Sequence, residues 1–421
     1  MSSNDFSLST QFEINKIEID GNDVIGLFQK ISLFENLYSP VITGSIVLLD
    51  SDGADFINEK QIEGNEDISF EFTNANGDSL IFDGVLNGLR NKAVDLNRSI
   101  FTFDFTSEQV RKNEEKFVVK RFKNKTPRDI VSEMIKELGG KEDKVNGSGL
   151  PMQFTGSRRR PTEIIKYVLS HGVTQKSSAT DKQDNVNEEA KGTTGFLCWQ
   201  TVDGYRFAAI DEILAGSTGT SQGEYTYRIQ NKSLPMKDAM TSIIEYDFKV
   251  IGDIQSKMRA GAFKSINLSF DMDKGLYKEY KYEDDSNLTE KQKEIIKLPT
   301  RITWRPFMNE IHENSCQRAK PNSGDQSRQY LSQNIVRQNT FADQFGNFTL
   351  PPSFKFRAGD VFQVKIPQVE SEKSKGYNDK HTGRYIVKQV GHHMFNDGRA
   401  YTKVQTVRST IQQDDASSQK S

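Results

Sequence analysis

The chain has 421 residues, with 56 basic against 58 acidic side chains and a formal net charge of −2. Hydrophobic residues make up 35% and charged residues 27%, and 27 Phe with 13 Tyr are enough to build cores, so global disorder is excluded. The charge balance argues against a protein whose main task is gripping nucleic acid, and two cysteines, Cys198 and Cys316, make neither a disulfide framework nor a cysteine-rich zinc site.

Up to about Thr106 the sequence reads as short strands. Phe12 and Ile14 alternate with polar residues, and Ile17 and Ile19 resume one residue out of phase, as a bulge produces. The string Ile31 to Asp50 holds two apolar runs around Asn36, Ser39 and Pro40, and it ends in the turn signal Asp50-Ser51-Asp52-Gly53. Glu66 to Thr73 and Leu80 to Leu86 flank Asn74 to Asp78, a hairpin turn in which Asn-Gly tolerates positive φ. Phe101, Phe103 and Phe105 then alternate with polar residues as a half-buried strand. This turn spacing predicts a small antiparallel barrel or sandwich.

The stretch from Glu108 to Lys125 is charge-rich, and two helices follow. Thr126-Pro127 caps and starts the first, Ile130, Val131, Met134, Ile135 and Leu138 form its apolar face, and Gly139-Gly140 ends it. The second starts at Arg160-Pro161, buries Ile164, Ile165, Val168 and Leu169, and stops at Gly172. Val173 to Gly195 is a polar, mobile loop, and Phe196 to Ile210 a hairpin turning at Asp203-Gly204. Ala215 to Gly223 reads as a further loop. Ile243 to Val250 and Ala262 to Phe270 fit paired strands, and Leu276 to Tyr282 adds another. A charged excursion covers Glu283 to Lys297, and Asn309 to Tyr330 is helical in part, with a break from Lys320 to Gly324. The last strands are Asn339 to Thr349, Val361 to Ile366, Gly383 to Gly391 and Ala400 to Thr410. No basic-then-apolar signal opens the chain, and no apolar run approaches the roughly 18 residues of a membrane span, so a soluble cytoplasmic product without membrane insertion is expected.

Candidate sites are few. His392-His393 with His381 is the histidine cluster, with Asp379 and Asp397 nearby in sequence. Adjacent strand residues face opposite sides, so these histidines are expected to pack rather than chelate. Asp50 to Gly53 resembles the start of a calcium loop, but the twelfth position is Gln61 where a bidentate Glu is needed. Arg158, Arg159 and Arg160 are too few for a phosphate groove and read as a surface at a helix start. Cys198 beside Trp199 reads as core. Glu114-Glu115 and Asp284-Asp285 lie in solvated charged stretches rather than in pockets that raise a carboxyl pKa. With no nucleophile elbow, Walker loop or zincin motif, no catalytic, metal or cofactor residue is assigned and no enzyme is expected.

The string Ile31 to Asp50 resembles the opening barrel of the central baseplate hub proteins of contractile-tailed bacteriophages, related to the hub part of type VI secretion spikes. Three later segments resemble the same family in the same order. They are Arg160 to Leu169 followed by Gly195 to Phe207, then Ala260 to Asp271, and then Arg357 to Pro367 with Gly383 to His392 and Thr402 to Arg408. The resemblance implies a mainly β fold with an α/β insertion. A first β-barrel domain would span 1–110 and a mixed α/β domain 111–240 with the mobile loop 173–195. A second barrel at 241–411 would be interrupted by an excursion at 283–335, with a polar tail at 412–421. It further implies a structural role in the virion. Three chains would form a pseudo-sixfold ring that adapts a sixfold tail tube to a threefold spike around a channel for DNA. The implied partners are further copies of the chain, a spike or tail-lysozyme protein, the first tube ring and baseplate wedge proteins, with no sequence-specific nucleic-acid binding. A tail-associated cell-wall hydrolase and a type VI-like spike hub are the rival readings.

Overall fold

Alternating Phe101, Phe103 and Phe105 face one aromatic core with Phe70, Phe72 and Phe82, all buried, because period-two apolar spacing turns every second side chain to the same side of a sheet. The computed structural model describes residues 8–51, 59–60, 62–95, 98–147, 149–174, 194–228, 234–249, 254–271, 275–283, 293–294, 297, 301–307, 324–341, 344–367, 377–378 and 381–408.

The first β region contains β1 (Phe12–Ile19), β2 (Asn22–Asp23), β3 (Phe28–Asn36), β4 (Thr43–Ser51), β5 (Asp67–Asn74), β6 (Ser79–Asp95) and β7 (Arg98–Ser107). The phase change in β1 is a register shift between Ile14 and Lys16 against β5. The β5–β6 turn is closed by Asn74, whose Oδ1 accepts the Asn76 and Asp78 N–H groups at 3.0 and 2.8 Å. Gly77 there has φ +80°.

The middle region contains α1 (Gln109–Glu115), β8 (Val118–Lys125), α2 (Pro127–Glu137), β9 (Glu142–Val145), β10 (Met152–Arg159), α3 (Pro161–His171), β11 (Phe196–Thr201), β12 (Gly204–Ala209) and α4 (Ile210–Ala215). Thr126 caps the start of α2, as the sequence predicts, and Asp129 completes a reciprocal capping box with it. Ile130, Val131, Met134, Ile135 and Leu138 of this helix pack on Ile164, Ile165 and Val168 of α3. Strands β8 and β10 pair with each other, over a stretch read in the sequence only as charge-rich and one left unassigned.

The rest comprises β13 (Ser221–Tyr227), α5 (Met236–Met240), β14 (Ser242–Ile243), β15 (Glu245–Lys249), α6 (Ile254–Ala260), β16 (Lys264–Asp271), β17 (Leu276–Glu283), β18 (Arg301–Phe307), α7 (Gly324–Thr340), β19 (Gln344–Leu350), β20 (Val361–Lys365), β21 (Gly383–Phe395) and β22 (Ala400–Arg408). Four expectations are corrected here. Ser221 to Gly223 begin β13 instead of ending a loop, because β13 lies alongside β20. The strands expected to pair, β15 and β16, do not: β15 joins β19, and β16 joins β17 and β18. Strand β18 was not expected. Helix α7 runs to Thr340, so the following strand starts at Gln344 rather than Asn339. The loop 175–193, most of the excursion after Glu283, the break around Lys320 and the final tail lie outside the described residues.

The fold is mainly β, and among the described residues the expected pair of barrels does not form two separate closed cylinders. Both β regions belong to one fourteen-stranded sheet, joined where β3 pairs antiparallel with β21, from Lys30↔Phe395 to Asn36↔Gln389. The pairing order repeats within the chain. In the first region it is β1–β5–β6–β7–β4–β3, and in the second β13–β20–β21–β22–β19–β15. Each strand of one set has a counterpart at the same place in chain order in the other. The register repeats as well. Leu86 lies opposite Phe105 and Phe105 opposite Gly44, while Val387 lies opposite Thr406 and Thr406 opposite Gly346. A bulge follows both Leu86 and Val387. Both glycines sit where a ring crosses the sheet. A Cβ would fall 2.2 Å from the Phe105 ring at Gly44 and 2.9 Å from the Phe248 ring at Gly346. One pair breaks the correspondence, since β1–β5 is antiparallel and β13–β20 parallel.

Candidate functional site

The most distinctive chemistry in the molecule is buried. Glu35 on β3, Arg206 on β12, and Arg357 and Asp360 in the loop before β20 converge from the first β region, the middle region and the second β region. Glu35 is wholly buried. Its Oε1 accepts the Val202 N–H at 2.9 Å and its Oε2 accepts the Ala358 N–H at 2.9 Å, so one carboxyl ties all three regions together. Burial pushes its pKa from 4.5 up to about 7, against the pull of the Arg357 guanidinium, whose Nε lies 4.0 Å away.

Arg206 donates to Asp143 at 2.6 Å, to Asp360 at 2.9 Å and to the Ala358 carbonyl at 3.1 Å. Burial pulls its pKa down, but Asp360 and Asp143 outweigh that pull and leave it above its ordinary value. Asp360 also accepts from the N–H groups of Thr220 and Arg357, at 3.0 and 3.1 Å, and from the Gln222 amide at 2.6 Å. Arg357 grips Asp203 at the β11–β12 turn with two bonds, at 2.9 and 3.2 Å. The Trp199 indole N–H donates to the Ala358 carbonyl at 2.9 Å. Around these polar groups Leu37, Leu197, Trp199, Ala208, Val361, Ile386 and Val407 form one apolar cluster that excludes water. Every acid in this arrangement is held by a base or by backbone N–H groups. It is built to fasten the three regions to one another.

Gly359 lets the loop into this joint. It has φ +89°, and a Cβ would lie 2.7 Å from Trp199 Cζ2. Gly359→Ala is expected to cost about 1–3 kcal/mol, from backbone strain and the displaced indole. A thermal melt followed by Trp fluorescence checks this, and an unchanged midpoint would contradict it.

The residues singled out in the sequence take structural positions. His392 is buried, with Nδ1 3.1 Å from Thr402 Oγ1, and burial lowers its pKa to about 3. His393 faces the other side of β21, with Nδ1 2.9 Å from Ser32 Oγ, and burial lowers its pKa to about 4. His381 stacks on Phe248 with centroids 4.1 Å apart. Asp397 pairs with Arg399, and Asp379 lies outside the described residues. Among the described residues no three His, Cys, Asp or Glu side chains converge as a metal site. Asp50 is buried on β4, and Asp52 and Gly53 lie outside the described residues. Arg160 pairs with Glu114 and lies over Phe117, and Arg159 lies over Tyr167. Cys198 is core, its thiol pushed up to about 12 by burial, while Cys316, Asp284 and Asp285 lie outside the described residues. None of these comes together with another as a site. Beside β21 runs an open groove of ≈ 410 Å³, lined by Phe34, Tyr246, Phe348, His393 and Lys403 among others. The histidine in it is neutral and bonded to Ser32. No described helix is long and apolar enough to cross a membrane.

No family model matches the sequence, and neither does any curated protein sequence. Solved structures do match. The tail protein from Neisseria meningitidis MC58 aligns with a TM-score of 0.51 at 9% identity, covering 95% of this chain and 98% of its own. The 43 kDa tail protein of the Shewanella oneidensis prophage MuSo2 gives 0.49 at 10% identity, covering 94% and 98%. The Escherichia coli protein c3393, a component of the type VI secretion system, gives 0.40 at 9% identity, covering 95% and 77%. Similarity at such identity concerns fold, and the fold assignment rests on the Neisseria protein. The chain has the fold of a tail protein, the class to which its sequence resemblance points.

Proposed function

We propose that the chain is the central hub of a contractile-tail baseplate, with three copies arranged as a ring about the tail axis. The observation that carries this reading is the repeated strand order within one chain. Two alike β units per chain give six alike positions in a ring of three, and a piece with both symmetries is what joins a sixfold tube to a threefold spike. The edge-to-edge seam between β3 and β21, fastened by the Glu35–Arg357 joint, holds the two units at one fixed spacing. The tail-protein fold supports the same reading.

In this reading the two units are tandem β domains at 1–110 and 241–411 that share one sheet, with the mixed domain 111–240 between them. Strand β13 falls in the middle range yet extends the sheet of the second unit. The role is mechanical, with no chemistry and no cofactor: the ring keeps an axial channel open for DNA and passes load to the spike when the tail contracts. Its partners are its own copies, a spike or tail-lysozyme protein, the first tube ring and wedge proteins of the baseplate. The hub is assembled in the host cytoplasm and resides in the virion.

Solution mass tests this. Light scattering of the purified chain is expected to give about three times the 47.8 kDa chain mass, and with a candidate spike protein a complex heavier by the mass of the bound spike. A monomer in both samples would overturn the hub reading.

A further inference from the structure

The two β units differ in what lies along one edge. In the second unit β21 continues past the end of β20, and there its residues Gln389 to Phe395 pair with β3. In the first unit β6 continues past the end of β5 in the same way. Its pairing with β5 stops at Val85, Leu86 exchanges backbone hydrogen bonds with Asn65 and Glu66, and a bulge follows, at the place where β21 has its own. Beyond it, Gly88 to Asp95 pair with β7 on one side, with a second bulge between Leu89 and Asn91 that β21 lacks, and no described strand lies on the other. The counterpart of β3 in the second unit is β15. It pairs with β19 on one side, and among the described residues no strand lies on its other side. Among the described residues the chain therefore makes the β3–β21 seam once and carries both halves of an equivalent seam, β15 and β6, unjoined.

We propose that the free edge of β6, Gly88 to Asp95, pairs antiparallel with β15, Glu245 to Lys249, of a second copy of this chain. The partner is named by the internal repeat: the strand that fills this edge in the second unit is β3, and β15 is its counterpart. A long open strand edge with an exposed Leu89 is also a standing template for strand addition, which proteins otherwise blunt or cover. The contact is head-to-tail, β6 of one copy to β15 of the next, so it generates a ring when the rotation closes. The number of copies rests on the hub reading, whereas the identity of the two edges rests on the repeat.

Disulfide trapping tests it on the full chain with Cys316→Ser as background; Cys198, buried with a raised thiol pKa, stays inert. Ala93→Cys and Asp247→Cys, the counterparts of the paired His393 and Ser32, are made as separate single variants, purified and mixed under mild oxidation. Lys92→Cys with Asp247→Cys covers the neighbouring register, and Lys16→Cys with Asp247→Cys is the control. The expected result is a linked dimer on a non-reducing gel only in a mixture of the β6 and β15 variants, while the chain carrying both cysteines links into its full oligomer. Light scattering of the same samples separates the outcomes. A trimer that does not link overturns this edge pairing and leaves the ring reading standing. An unlinked monomer overturns both, and linking equal to that of the control overturns the pairing.

Discussion

Replacing Arg206 by Met is expected to lower the unfolding free energy by about 3–5 kcal/mol, the cost of leaving a buried charge without its partner. Asp360 is as buried as Arg206, so water cannot take over the lost pair. The Asp360 oxygens would keep the Thr220, Arg357 and Gln222 donors but lose their nearest full positive charge. Methionine fills most of the volume, so the loss reports charge more than cavity. Urea unfolding followed by Trp199 fluorescence is the measurement, because that indole bonds to the same Ala358 carbonyl as Arg206. A loss below about 1 kcal/mol would mean that the pair behaves like an exposed one. Asp143→Asn, at the more exposed end of the Arg206 chain of bonds, is expected to cost less.

The second large effect is at Glu35. Glu35→Ala would strand the Val202 and Ala358 N–H groups in the dry joint, at about 1–3 kcal/mol each. The pH dependence distinguishes this from ordinary packing loss. With a folded pKa of about 7 against an unfolded 4.5, the folded chain holds the Glu35 proton where the unfolded chain has released it. Stability from this group is therefore fully present below pH 4.5 and declines by about 3 kcal/mol as pH rises through 7. Wild type and variant should differ most in acid and converge towards neutral pH. His392 slopes the other way in both proteins. It is neutral in the fold down to about pH 3, so protonation of the unfolded chain removes stability as pH falls below 6.5. Urea midpoints at a series of pH values read both slopes, and a difference constant with pH would contradict the assignment of Glu35 as the titrating group.

The parts of the fold legible in the sequence were those with a local physical cause. The phase slip in β1, the Asn-Gly turn after β5 and the Thr126-Pro127 start of α2 are each written in a few adjacent residues, and each appears where expected. What failed depended on distant partners. Val118 to Lys125 shows one buried side chain, Phe122, and its strand exists because β10 lies beside it. Strand β16 took β18, more than thirty residues on, over the nearer β15, and no local pattern carries that choice. Helix α7 has too weak an apolar stripe to mark its end at Thr340.

The joint was illegible for the same reason. Glu35, Arg206, Arg357 and Asp360 are four ordinary charges in distant segments, and charge alone reads as surface. One signal was available: Glu35 follows Phe34 within an apolar strand, and Arg206 sits between Tyr205 and Phe207 in a strand buried along its whole length. A charged residue inside an apolar run needs a partner, and two such residues of opposite sign invite a search for each other. The repeat of strand order was hidden too, because it lives in pairing and not in residue identity.

The central claim is that one chain supplies two equivalent positions around an axis. Electron-microscopic images of the purified oligomer, viewed end-on, test it most directly. The account predicts a ring with six alike lobes and an axial opening, whose rotational power is dominated by the sixfold term over a true threefold symmetry. A ring with three lobes, or a particle without rotational symmetry, would contradict it.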